Sequence, residues 1–218
     1  MVTIFFIIYF AIQSTLKMEE KYLQDISEIK NMMNKSSQFI SLSGLAGILA
    51  GIYALIGAFV ADQLIINHGS LYITLESKTF RLIVLTAFLV LLLSVATATM
   101  LTFTKAKRNG EKVWNATSKR MILNFLIPLV TGGIFALLLL QNGIYGLIAP
   151  VTLIFYGMSC VNASKYTFRD VRYLGITIII LGLFATEFSG YALQFWALGF
   201  GVCHILYGSI MYYKYDRK

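Results

Sequence analysis

"FRLIVLTAFLVLLLSVATATMLTFT", residues Phe80 to Thr104, holds one charged side chain, Arg81, and otherwise only apolar and hydroxyl-bearing residues. A helix needs roughly 17–25 consecutive apolar residues to cross a bilayer. The stretch is of that length, so it reads as a membrane span. It is not alone.

Hydrophobic residues make up 58% of the 218-residue chain, charged residues 13%, and mean hydropathy is +0.74. A soluble domain carries about 25% charged residues. The fold class expected is therefore all-α, a polytopic membrane helix bundle. Spans are read at about Phe39–Ala61, Phe80–Thr104, Met121–Leu140, Tyr145–Asn162, Val171–Phe188 and Tyr191–Tyr213, six in number. Asn142-Gly143 and Ser189-Gly190 are turn signals that fold the last four into two tight hairpins.

The net charge of +8 takes a membrane explanation before a nucleic-acid one. Lys105, Lys107, Arg108, Lys112, Lys119 and Arg120 crowd one loop; Lys165, Arg169 and Arg172 sit in another; Lys214, Arg217 and Lys218 end the chain. Neither hairpin turn holds a basic residue. Basic loops stay in the cytoplasm, so both ends of the six-span unit are expected there, in a bacterial inner membrane. The six basic residues of the first loop, with Trp114, are expected to lie on anionic lipid headgroups. Lipid, a protein partner or a second copy are the partners expected; nucleic acid is not.

The domain expected to span the membrane is 39–218, preceded by an N-terminal segment, 1–38. The apolar run in residues 1–17 is short for a span and lacks the basic start and cleavage site of a signal peptide. It reads either as a short extra helix or as an artefact of an assigned start, with translation beginning at Met18. The second is favoured. Tyr22, Ile26, Ile29 and Met33 then share one face of a juxtamembrane amphipathic helix.

Gly44, Gly47, Gly51, Ala54, Ala58 and Ala61 recur at steps of three and four, a stripe of small side chains. In lipid, helices associate through close backbone approach, so the stripe predicts a tight helix–helix seam. Ala197, Gly201, His204, Gly208 and Met211 form a second stripe, which turns His204 toward a neighbouring helix across a groove lined by Gly201 and Gly208. His204, with Tyr207 one turn on, is the candidate intramembrane polar site. The bland reading is a neutral imidazole hydrogen-bonded across the seam, worth about 0.6–2 kcal/mol. The alternative is a proton- or ligand-handling role. Tyr156-Gly157 and Tyr207-Gly208 hint at a faint repeat.

Catalytic, nucleotide and metal signatures are missing, so no enzyme, no cofactor and no metal are expected. Cys203 and His204 are adjacent and diverge by about 100° on a helix. Cys160 and Cys203 differ in depth by on the order of 10 Å, too far for a shared ion or a disulfide. Gly157-Met158-Ser159 with a later histidine resembles a rhomboid-type intramembrane serine protease, but Cys160 replaces that family's following glycine, and the same depth gap separates Ser159 from His204. Proton- and ion-coupled carriers place charges inside the bundle. Here Asp62, Glu187 and Arg81 sit near span ends, while Pro128, Gly132-Gly133 and Pro150 leave a small-solute transporter or channel as the alternative.

"SSQFISLSGLAGILAGIYALIGA" and "FWALGFGVCHILYG" resemble an uncharacterised family of small multi-pass membrane proteins from Bacteroidetes-type bacteria, from about Met18 onward. Members are often encoded beside a winged-helix regulator. The resemblance implies sensing or envelope homeostasis by association and carries over no catalytic residue.

Overall fold

The structure, a computed structural model, describes Met18, Tyr22, Ile26, Phe39 and residues 41–67, 77–110 and 113–217. The chain divides into two compact units, Met1–Gln38 and Phe39–Lys218. In the first, Met18, Tyr22 and Ile26 are helical and more than half exposed. The readings of residues 1–17, Ile29 and Met33 lie outside the described residues.

The second unit is helical: α1 Gly44–Ile66, α2 Lys78–Arg108, α3 Ala116–Gln141, α4 Ile148–Ala163, α5 Asp170–Glu187 and α6 Ser189–Asp216. Ends are set by local chemistry. Ser77 caps α2 by accepting from the Phe80 amide at 3.0 Å. Asn115 and Ser118 form a reciprocal capping box on α3, at 2.8 and 2.9 Å. Three helices end on asparagine, at Asn67, Asn109 and Asn142. Gly110 and Gly143 follow the last two with φ of +67° and +73°, and no atom lies within 4 Å of an added Cβ at either. Backbone conformation, not space, asks for glycine there.

Among the described residues, five helices are long and apolar enough to cross a membrane: α1, α2, α3, α6, and α4 together with the 3-10 turn Tyr145–Leu147 before it. The expectation of six spans is met only in part. The 18 residues of α5 include Asp170, Arg172 and Glu187, so its uncharged stretch is shorter than the sequence reading allowed. The first span also starts later than read. Residues 41–43 are not helical, Ser43 being extended at the N-cap, so α1 begins at Gly44 rather than Phe39.

Consecutive helices run antiparallel, and α2 packs on α1, α3 on α4, α5 on α4 and α6 on α1. The two hairpin turns lie side by side at one end. At the other end the start of α1, the end of α2, the α4–α5 connection and the end of α6 meet. Phe39 N–H donates to Tyr166 O at 2.7 Å, and Thr167 Oγ1 donates to Phe39 O at 2.8 Å.

The outside of the bundle is apolar. Leu85, Phe88 and Leu92 of α2 are half exposed or nearly so, and Ala106 is its one buried residue. Hydrocarbon is the solvent that suits such a surface. Hydroxyls on it are satisfied locally: Thr86, Thr97, Thr99 and Thr104 each donate to the carbonyl four residues back, at 2.7–2.8 Å. Pro128 is buried inside an unbroken α3. Pro150 lies in the first turn of α4, where its missing N–H costs nothing. Neither proline opens the helix that holds it.

Candidate functional site

Two seams of small residues bring the polar groups together. An added Cβ on Gly47 would lie 3.1 Å from Gly208 Cα, and one on Gly51 would lie 2.6 Å from Gly201 O. From the other side, a Cβ on Gly208 would meet Ile48 N at 2.5 Å and Gly44 O at 2.7 Å. Thus Gly44, Gly47, Gly51, Gly201 and Gly208 line one contact, where α1 and α6 touch backbone to backbone. The α4–α5 contact repeats the chemistry: a Cβ on Gly157 would meet Gly175 O at 2.6 Å and Ile179 N at 3.0 Å.

α6 is not a regular helix. A π-helical stretch, Ala197–Val202, interrupts it directly before the α-helical turns Cys203–Met211. Its wider spacing presents the Gly199 carbonyl to His204 Nδ1 at 3.0 Å. A carbonyl only accepts, so Nδ1 carries the proton and Nε2 accepts. Tyr156 Oη, on α4, stands 2.7 Å from Nε2 and donates to it. His204 is 6% exposed, with both ring nitrogens used. Phe200 covers the pair, its ring centre 4.9 Å from that of Tyr156 and 5.9 Å from that of His204. Phe125 of α3 meets Tyr156 edge-on at 5.8 Å.

The sequence pointed to His204 and Tyr207 together, but His204 bonds to Tyr156 instead. Tyr156 had been noticed only as half of a Tyr-Gly repeat, and its pairing needs the α4–α6 juxtaposition that no local pattern encodes. Among the described residues the Tyr207 hydroxyl, fully buried, has no hydrogen-bond partner. Cys160 lies beside Tyr156, and Cys160 and Cys203 are not bonded to each other. Ser159 is buried and donates to Phe155 O at 2.9 Å, so it forms no dyad with His204. No group of three or more His, Cys, Asp or Glu side chains suited to a metal ion occurs among the described residues.

At the basic end, Lys105 is mostly enclosed: its Nζ contacts Asp216 Oδ1 at 2.6 Å and Leu42 O at 2.8 Å, with the side chain 15% exposed. Its position three residues before the end of α2 sets it against the start of α1. Asp216 also accepts from Gly44 N–H at 2.8 Å, which caps α1 with a negative charge at its positive end. Lys107, Arg108, Lys119 and Arg120 are exposed, and Lys119 stands 5.6 Å over the exposed Trp114 ring. Lys112 lies outside the described residues. Asp170 accepts from Lys214 at 3.0 Å and from the Tyr215 hydroxyl at 2.9 Å.

Comparison with protein-family models, curated proteins and solved structures finds no match to this chain.

Proposed function

We propose that the chain is a non-catalytic protein of the bacterial inner membrane that crosses it six times, with the start of α1 and the end of α6 in the cytoplasm. It acts through anionic lipid headgroups or a protein partner, in sensing or envelope homeostasis. The observation that carries this reading is the separation of charge along the bundle. Basic side chains gather at the end where Lys105, Lys119, Arg169 and Lys214 lie, and the two hairpin turns at the opposite end hold none.

α5 is taken as the sixth crossing because it runs antiparallel between those two ends, packed on α4. A carrier would be expected to hold a charge at mid-depth. Among the described helices the charged residues sit near helix ends, Asp62 and Arg120 being set furthest in. The imidazole of His204 is committed on both nitrogens, which supports a structural role.

Reporter fusions test the topology. Fusions at Gly110, Lys165 and after Lys218 should report the cytoplasm, and those near Ser70 and at Ser189 the outside. A cytoplasmic signal at Ser189 would remove α5 from the crossings, and an outside signal at Gly110 would overturn the orientation.

A further inference from the structure

Three polar groups follow one another from the interior to the basic end of the bundle. Innermost is the Tyr156–His204 pair, closed by the Gly199 carbonyl. Outermost is Asp170, held by Lys214 and by the Tyr215 hydroxyl at 2.9 Å. Tyr207 stands between them, three residues beyond His204 on α6. It packs against the cluster formed by Leu153, Leu174, Ile178 and Ala185 and against that formed by Cys160, Phe168, Val171 and Met211, with Asp170 and Tyr215 as further ionisable neighbours.

A buried hydroxyl without a partner destabilises a fold, and such groups are few in native proteins. Here the hydroxyl is walled by apolar side chains, yet it has polar atoms on both sides along the bundle axis. An internal water needs two to four polar partners, and the polar groups nearest Tyr207 along the bundle are the Tyr156–His204 pair and the Asp170–Tyr215 pair. Tyr156 lies toward the interior and the Asp170 carboxylate toward the surface, while Cys160 packs with Phe168, Val171 and Met211.

We propose that Tyr207 Oη is the anchor of an internal water site that joins the Tyr156–His204 pair to Asp170 in one hydrated line. The ligand is water, one molecule or a short file. The site gives the interior histidine a polar connection to the basic end and none to the hairpin end. Toward the hairpins His204 meets Phe200, itself packed on Trp196, and the Gly199 carbonyl it already uses. The inference rests on these contacts alone and is independent of which side of the membrane the basic end faces.

The test is the full chain in lipid nanodiscs, determined at a resolution that shows ordered water, beside Tyr207→Phe. Phenylalanine keeps the ring and its packing, so the variant differs by one oxygen. The expected result is density within hydrogen-bond reach of Tyr207 Oη that is missing from Tyr207→Phe, and a Tm lower by roughly 2–6 °C in the variant. A Tyr207→Phe protein that melts at or above the wild-type temperature overturns the proposal. So does a wild-type hydroxyl bonded directly to a protein group.

Discussion

Tyr156 Oη and His204 Nε2 stand 2.7 Å apart and join α4 to α6 through the apolar interior of the bundle. The direction of the bond is fixed from the far side of the ring, where Nδ1 donates to the Gly199 carbonyl freed by the π-helical stretch. The pair thus couples a backbone irregularity in one helix to a side chain in another. Interhelical hydrogen bonds of this kind contribute about 0.6–2 kcal/mol in a membrane.

Substitutions at His204 should separate hydrogen bonding from titration. Glutamine retains a donor and an acceptor, whereas leucine removes the bond that each of Tyr156 Oη and Gly199 O makes to the imidazole. In detergent, His204→Gln should melt close to the wild type, and His204→Leu should lose about 2 kcal/mol. Tyr156→Phe should lose about 1 kcal/mol. Equal melting of the Leu and Gln variants would show that the bonds contribute nothing. A Gln variant that is stable but lacks a pH-dependent phenotype would give the imidazole a functional role instead.

The glycines make a sharper contrast. A methyl on Gly51 would come within 2.6 Å of the Gly201 carbonyl, and neither backbone can yield without parting α1 from α6. Gly51→Ala and Gly208→Ala should each lower stability by about 1–3 kcal/mol, as overpacking does elsewhere. Gly133, on α3, has nothing within 4 Å of an added Cβ. Gly133→Ala should therefore be neutral or stabilise by about 0.5–1 kcal/mol, through helix propensity alone. Thermal melts of the three variants in one detergent decide it. A tolerated Gly51→Ala would mean that the seam is looser than its geometry.

What was legible in the sequence follows from what each feature depends on. The stripe from Gly44 to Gly51 is periodic within one helix, so its close packing could be read before the partner was known. Gly201 and Gly208 were legible for the same reason. The charge clusters are likewise local. Span boundaries were less so: α1 starts at Gly44 because Asp216, far away in sequence, caps it and Tyr166 and Thr167 tie Phe39. The charges on α5 were visible, yet Glu187 was read as lying near a span end and Asp170 fell just outside the span as bounded. Tyr156 was missed as the partner of His204 because tertiary pairing leaves no periodic trace, and the π-helical stretch had no signal beyond Gly199 and Gly201. Lys105 looked like any other loop cation until its acceptors were located.

Lys105 and Asp216 form the tie at the basic end. Asp216 satisfies both Lys105 Nζ, at 2.6 Å, and the Gly44 amide, at 2.8 Å, with side chains 15% and 9% exposed. Removing one partner of a pair this enclosed leaves the other charge poorly solvated. Lys105→Met and Asp216→Asn should each cost about 1–3 kcal/mol. Asp216→Asn should cost less, because an amide oxygen can still accept from Gly44. A double-mutant cycle on thermal stability measures the coupling, and additive losses would show that the two residues act separately.

The ion pair at Lys105 also sharpens what is expected of the lipid surface. Lys107, Arg108, Lys119 and Arg120 are exposed beside Trp114, whereas Lys105 is turned inward. A basic side chain near an anionic leaflet contributes about 1 kcal/mol, and that attraction decays within a Debye length of roughly 10 Å at 0.1 M salt. Each of the four, changed to glutamine, should weaken retention of anionic lipid by the purified protein, about fivefold per residue at low salt. The loss should shrink as salt rises, and neutral lipid should be retained equally by all variants. Lys105→Gln should behave differently, lowering the melting temperature while leaving lipid retention near the wild-type value. Native mass spectrometry of the protein with mixed anionic and zwitterionic lipid reads both quantities. Equal loss of anionic lipid from Lys105→Gln and Lys119→Gln would mean that the inward and outward cations are not distinguished. Retention that ignores salt in every variant would remove the headgroup contact from the proposed function.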